Sequence, residues 1–168
     1  MKKLLRLIDK FFPPQTVFAH CDIPCGIYDP HEAQMAAHTV LRMTNMISEL
    51  QALSAELPFE ERKRIISQIA RLTKVKEEHA EFIKHQVRII WGDYFKDEHI
   101  KKYKTLHQLV FRIMKQASAA RQNVDIKAAN ELLGMVQQFA EIFWETKGRK
   151  VQKVKSGYPT EGVIVLPK

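Results

Sequence analysis

A histidine and two cysteines lie close together near the start of this 168-residue chain, at His20, Cys21 and Cys25. The sequence holds no other cysteine, so these thiols cannot form the disulfide framework that ties distant parts of a small fold together. Two thiols beside an imidazole can bind a metal ion, form a redox-active disulfide, or be an incidental pair. A structural zinc site would need a fourth protein ligand. The spacing alone leaves the three possibilities open.

The ligand set changes if the chain is cut so that it begins at His20. One short peptide then offers a free amine, a backbone amide, two thiolates and an imidazole. An amine and a deprotonated amide chelate a metal in one plane, and two thiolates complete a square of two nitrogens and two sulfurs. Nickel(II) favours square-planar coordination of this kind, whereas zinc does not. Such strong donors also stabilise a higher oxidation state, so the peptide is suited to a redox-active nickel ion.

Four amphipathic segments follow this peptide and must position it. Pro58 is the one clear helix breaker in the middle of the chain. Within each segment, apolar residues recur in steps of three and four, as they do on the buried face of a helix. In the second segment this apolar row includes Ile69, Val75 and Phe82. The segments span about 30–53, 58–92, 101–121 and 125–147. The pattern predicts an all-α fold, an antiparallel up-down four-helix bundle with an irregular N-terminal metal-binding hook.

The sequence divides into a segment at 1–19, the hook at 20–30, the bundle at 31–148 and a tail at 149–168. Residues 1–19 are basic and partly apolar, and they are interpreted either as a removable propeptide or as a short amphipathic helix. Charges interrupt their apolar run, which argues against secretion and favours the cytoplasm. The tail starts basic and ends in a short apolar run. A flexible tail is favoured, although packing on the bundle or on another subunit is also open.

The formal net charge of +8 invites a nucleic-acid, membrane or small-anion partner. The sequence contains no zinc-finger spacing, no glycine-rich RNA motif and no dense arginine block. It also lacks a stretch of 18 apolar residues. We therefore expect neither a nucleic-acid partner nor a membrane span.

The hook sequence HCDIPCGIYDP, residues 20–30, closely resembles the nickel hook of nickel superoxide dismutases. Residues 91–96, 102–110 and 142–147 also resemble segments of that family, in the same order, so the resemblance covers about residues 20–147. It implies dismutation of superoxide to dioxygen and hydrogen peroxide by nickel(III)/nickel(II) cycling, with one nickel ion per subunit. It also implies a homohexamer and a maturation peptidase that cuts after Ala19 to expose the amine of His20.

The resemblance assigns roles to individual residues. The His20 amine, the Cys21 amide nitrogen and thiolate, and the Cys25 thiolate are the equatorial nickel ligands, and the His20 imidazole is the axial one. Tyr28 matches the tyrosine before the open axial face, and Tyr94 matches a second tyrosine near that face. Two hook residues help to form the turn: Asp22 and Pro24, the second of which follows a cis bond in the family.

Two positions depart from the family. Other members place a glutamate and an arginine where they orient the axial imidazole, and here those positions are Ala36 and His79. His79 could replace the missing group, or it could be a core histidine satisfied by a carbonyl. Removing residues 1–19 leaves a net charge of +5, and Lys96 is the candidate for steering the anionic substrate, with a solvated lysine as the alternative.

Three other interpretations remain at this point. A non-catalytic nickel- or copper-binding protein would hold metal without turnover. A thiol–disulfide protein would use Cys21 and Cys25 without metal. A basic helical module would bind a polyanion in a salt-dependent way. For the enzyme, the proton donor stays open between a metal thiolate, the His20 imidazole, and water held by Tyr28 and Tyr94.

Overall fold

The structure is a computed structural model that describes residues 26–50 and 56–168. In those ranges the chain forms five α-helices, one π-helical turn and two β-strands. They are α1 His31–Ser48, α2 Phe59–Ile89, the π turn Ile90–Tyr94, α3 Asp97–Lys102, α4 Leu106–Gln122, α5 Ile126–Thr146, β1 Val151–Lys155 and β2 Val163–Pro167. None of the helices described is long and apolar enough to cross a membrane.

The four long helices α1, α2, α4 and α5 pack in a ring, each against the next along the chain, and α5 closes back on α1. Hydrogen bonds near the helix ends show that neighbouring helices run in opposite directions. Near the end of α2, Gln86 donates to Glu32 in the first turn of α1 at 2.9 Å. Towards the end of α4, Gln116 donates to the carbonyl of Ala128 in the first turn of α5 at 3.0 Å. The predicted antiparallel up-down bundle is confirmed.

The third predicted segment differs from the structure at its start. The chain forms the short helix α3 first, and α4 begins only at Leu106. Between them Tyr103 leaves the helical conformation, with φ −111° and ψ 72°. Its hydroxyl donates to Glu145 on α5 at 2.9 Å, so a tertiary contact accompanies the break. Apolar periodicity cannot reveal such a break, because it reports which face is buried and not where the backbone turns.

The buried face of α2 also differs from the predicted row. Ile69 and Phe82 are each 38% exposed, whereas Lys76 is only 1% exposed. The ammonium of Lys76 donates to three carbonyls at the end of α4, those of Ala120, Arg121 and Asn123, at 2.8, 2.9 and 2.6 Å. A helix leaves its last carbonyls without partners, and a cation there satisfies them. Burial nevertheless lowers the pKa of Lys76.

Residues 149–168 do not form the flexible tail that was favoured. Strands β1 and β2 pair as an antiparallel hairpin, with Val151 opposite Pro167. Ile164 and Val165 of β2 are 7% and 0% exposed. The fully buried amide of Gln34 on α1 donates to the Val165 carbonyl at 3.0 Å and accepts from its N–H at 2.8 Å. These bonds and the buried apolar side chains fix the hairpin on the bundle.

His38 on α1 makes a second connection to this hairpin and is 3% exposed. Its Nε2 lies 3.2 Å from the Val163 carbonyl and its Nδ1 lies 2.7 Å from the Thr160 hydroxyl. The carbonyl can only accept, so Nε2 carries the proton and Nδ1 accepts from Thr160 in the neutral ring. A Cβ at Gly162 would lie 2.6 Å from the ring, so the close approach requires glycine. Burial lowers the pKa of His38, partly opposed by the bond to Val163.

Candidate metal centre

The predicted nickel ligands His20, Cys21 and Cys25, and the hook residues Asp22 and Pro24, lie outside the described residues. Within 26–50 and 56–168, no group of three or more histidine, cysteine, aspartate or glutamate side chains is placed to hold a metal ion. The described part of the centre is the surface around Gly26, where the hook joins the bundle.

The hook joins the bundle through a short, well-defined turn. Gly26, bonded directly to Cys25, has a φ of +90°, in the region that favours glycine. Asp29 accepts a hydrogen bond from the backbone N–H of His31 at 2.8 Å, and this bond leads the chain into α1. Tyr28 lies between these positions and is only 7% exposed. The turn thus buries the first tyrosine against the bundle.

The second tyrosine is placed by the π turn that follows α2. The N–H of Phe95 bonds to the carbonyl of Ile90 at 3.3 Å, five residues back, so the last turn is wider than an α-helical one. Tyr94 ends this turn, and its ring centroid lies 5.9 Å from that of Tyr28. Two residues expected near one metal face are therefore neighbours, although one precedes α1 and the other follows α2.

The two tyrosines line a cavity of about 500 Å³. The complete lining is Gly26, Tyr28, Asp93, Tyr94, Lys96, Glu98, His99 and Lys147. Lys96, the residue expected to steer an anion, is exposed and belongs to this lining. Two lysines and two carboxylates stand around the cavity, so its local charge is balanced and the positive charge of the chain is not concentrated there.

Lys147, just after α5, is a lining residue for which no sequence pattern predicts a role. Its ammonium donates to the carbonyl of Tyr28 at 3.3 Å. It also lies 5.5 Å from the ring centroid of Tyr94 and 4.7 Å from that of Phe143, distances typical of cation–π contacts. One side chain thus connects the exit of the hook, the second tyrosine and the end of the last helix.

Tyr94 is held on several sides. Its ring stacks on His99 at 5.5 Å with an interplanar angle of 12° and contacts Phe143 at 4.7 Å. Its hydroxyl lies 2.9 Å from the Thr146 hydroxyl. His99, which also lines the cavity, is a contact of Tyr94 that no sequence pattern predicts. The sequence signal for these contacts was the 142–147 segment, which resembles the family but did not identify its neighbours.

His79 is not brought into the tyrosine cavity. It lines a separate cavity of about 250 Å³ together with Ala36, Glu32 and Phe82. Its Nδ1 lies 2.8 Å from the carbonyl of Val75 in its own helix. The structure therefore brings together the two positions that the resemblance marks as departures from the family, and it also shows the carbonyl contact expected of a packing histidine.

The donor chemistry in this region fits nickel. Cys25 is covalently joined to Gly26, which lines the tyrosine cavity. The second thiolate expected to bind nickel is therefore one residue before a lining residue in the sequence. Two thiolates, an imidazole and backbone nitrogens form a strong-field set of nitrogen and sulfur ligands, which square-planar nickel favours over the oxygen ligands of magnesium or calcium.

Known proteins are similar to this chain in sequence. The description "Nickel-containing superoxide dismutase" belongs to the family whose profile matches residues 15–147. A Superoxide dismutase [Ni] from Streptomyces coelicolor is 40% identical over 137 residues, which cover 82% of this chain and 95% of the relative. The enzyme of the same name from Streptomyces seoulensis is 37% identical over 142 residues, covering 84% and 98%.

Solved structures agree with this relationship. The native nickel superoxide dismutase at 1.30 Å superposes with a TM-score of 0.64 and 37% identity, covering 76% of this chain and 99% of that chain. A form whose nickel ligation corresponds to the oxidised state gives a TM-score of 0.65 at 34% identity, covering 77% and 99%. With its hook sequence, its helical bundle and its paired tyrosines, the chain belongs to the nickel-containing superoxide dismutase family.

Proposed function

We propose that this chain is a nickel-dependent superoxide dismutase, in which two superoxide ions and two protons become one dioxygen and one hydrogen peroxide. The observation that carries the proposal is the meeting of Tyr28 and Tyr94 at a cavity that the chain enters one residue after Cys25. The family relationship supports the same activity. A carrier protein would need the ligands but would have no use for this pair of tyrosines.

The ligands proposed for nickel are the amine and imidazole of His20, the amide nitrogen and thiolate of Cys21, and the thiolate of Cys25. Nickel bound by this set would supply one-electron redox chemistry between the +3 and +2 states. The amine requirement gives the propeptide its physical reason. A nitrogen in the peptide bond between Ala19 and His20 is not a primary amine, so cleavage after Ala19 controls formation of the site.

The residues of the bundle provide the surroundings of the reaction. Tyr28 and Tyr94 narrow the path by which superoxide approaches the site, and they order water beside that path. Asp22 supports the turn of the hook. Lys147 holds the hook exit by its bond to the Tyr28 carbonyl. Lys96, exposed at the rim, attracts the anion over short distances.

His79 is proposed to orient the axial imidazole in place of the acidic side chain that Ala36 lacks. The two residues line one cavity, which supports this role. We further propose a homohexamer with one nickel ion per subunit, a dedicated maturation peptidase, and a cytoplasmic location. These three points rest on the family resemblance and on the interrupted apolar run of residues 1–19.

The test compares two forms of the protein, one beginning at His20 and one retaining residues 1–19. Both are loaded with nickel, and superoxide decay is followed directly after pulse generation. We expect dismutation by the shortened form alone, because only that form offers the amine. Equal activity in both forms would refute the need for cleavage. Bound nickel without dismutation in either form would indicate a metal carrier.

A further inference from the structure

The hydroxyl of Tyr94, a residue that lines the tyrosine cavity, meets the hydroxyl of Thr146, and their hydrogen bonds have a fixed direction. Thr146, the last residue of α5, donates to the carbonyl of Phe143 at 2.6 Å. The Tyr94 hydroxyl lies 2.9 Å from the same Thr146 oxygen. A hydroxyl has one hydrogen and two lone pairs, and a carbonyl can only accept. Because the Thr146 hydrogen is used on Phe143, the Tyr94 hydroxyl must donate to Thr146.

The position of the Tyr94 ring leaves little freedom to change this arrangement. The ring is packed between His99 and Phe143, with the Lys147 ammonium 5.5 Å from its centroid. Only the hydroxyl hydrogen can rotate, and its direction is set by the acceptor at Thr146. The lone pairs of the Tyr94 oxygen are the groups that remain for a molecule in the cavity.

We propose that Thr146 is a positioning residue that turns the Tyr94 hydroxyl into a hydrogen-bond acceptor towards the cavity. The inference rests on the proposed function and deepens it. The chain of hydroxyls ends at the Phe143 carbonyl, which holds no transferable proton, so Tyr94 does not pass protons inward from α5. Its partner is a molecule that can donate, which means water or hydrogen peroxide but not the superoxide anion.

This direction has a consequence for the substrate. A water molecule that donates one hydrogen to Tyr94 has its second hydrogen free for an anion beside it. Tyr94 therefore orders a water that donates to superoxide or to the developing peroxide. If the Tyr94 hydroxyl pointed into the cavity instead, it could donate directly to the superoxide anion without a bridging water. Thr146 prevents the second arrangement.

The first test reads the hydroxyl direction without nickel and without activity. The Raman doublet of the tyrosine ring changes its intensity ratio according to whether the phenol hydroxyl donates or accepts a hydrogen bond. The difference spectrum between the native chain and Tyr94→Phe isolates Tyr94 from the other tyrosines. A ratio that shows donation, alone or together with acceptance from a cavity water, supports the proposal. A ratio of a phenol that only accepts would overturn it, whether or not the protein is an enzyme.

The second test is a double-mutant cycle on the nickel-loaded protein beginning at His20. We expect Thr146→Val to lower kcat/KM about 2- to 10-fold, the change that corresponds to one hydrogen bond. Thr146→Ser should keep kcat/KM at the native value because serine retains the hydroxyl. In a Tyr94→Phe background, Thr146→Val should have no further effect, because the residue acts through the phenol.

The matched control is Thr44→Val on α1. Thr44 is buried and donates to the Val40 carbonyl at 2.8 Å, so the substitution removes the same kind of helical hydroxyl bond. We expect unchanged kcat/KM for this control at equal nickel content. A loss in Thr146→Val that persists in the Tyr94→Phe background, or that serine fails to restore, would assign Thr146 a structural role only.

Discussion

At the scale of single residues, one hydrogen bond decides what His79 can offer a neighbour. Its Nδ1 faces the carbonyl of Val75 at 2.8 Å, so the neutral ring carries its proton there and Nε2 is an acceptor. A carboxylate on the Ala36 side of the cavity would also be an acceptor. The contact expected of a packing histidine is thus the contact that fixes the tautomer needed for the proposed role.

We expect His79→Ala to weaken nickel binding, and with it dismutation, about 10- to 100-fold, the usual effect of losing a group that orients a metal ligand. The measurement is nickel affinity by competition with a chelator, together with superoxide decay at full nickel loading. His85→Ala is the control, since His85 is an exposed histidine on the same helix. Equal nickel affinity in the two variants would mean that His79 only packs.

At the scale of elements, the four long helices followed from the sequence because their apolar rows are long and regular. The hairpin did not, because β1 is basic and β2 is only five residues long. Its position depends on Gln34 and His38, which lie 131 and 122 to 125 residues earlier in the chain. Local patterns cannot report such bonds. Lys76 was missed for the same reason, since a lysine in an apolar row is buried only when distant carbonyls receive it.

The hairpin should respond to pH through His38. Burial places the pKa of His38 in the docked state below its ordinary value of 6.5. The released state therefore binds a proton first as the pH falls, so docking is fully favourable above about pH 6.5 and weakens below it. We expect amide exchange in residues 163–166, corrected for intrinsic rates, to lose up to about 10-fold of its protection between pH 7.5 and 5.5.

His38→Gln provides the control for this pH effect. Glutamine keeps a polar group near Thr160 and Val163 but cannot titrate, so protection in this variant should be independent of pH over the same interval. A pH response that survives the substitution would place its origin in another group.

At the scale of the whole molecule, the antiparallel bundle explains which parts of the site the sequence could and could not predict. The resemblance identified Tyr28 and Tyr94 singly, and the fold brings their rings to 5.9 Å. Lys147 and Thr146 were visible only as residues near a helix end. They reach the tyrosines because α5 runs antiparallel to α1, so the last turn of α5 lies beside the exit of the hook. Their contribution required the direction of the helices and could not come from spacing.

The net charge of the molecule and the charges close to the cavity can each attract superoxide, and the dependence of the rate on salt separates the two contributions. The chain beginning at His20 carries +5, while the cavity itself is balanced between two lysines and two carboxylates. At low ionic strength, charges within about 30 Å act on the anion, and at 0.15 M only those within about 8 Å do so. We expect Lys96→Glu to lower kcat/KM about 3- to 10-fold at 0.01 M salt, with the difference shrinking as salt is added.

Lys101→Glu is the control for this prediction. It changes the net charge equally from an exposed position on α3 outside the cavity lining, and its effect on kcat/KM should be smaller. Equal losses in both variants would mean that the whole charge of the molecule attracts superoxide and that Lys96 has no special place in it.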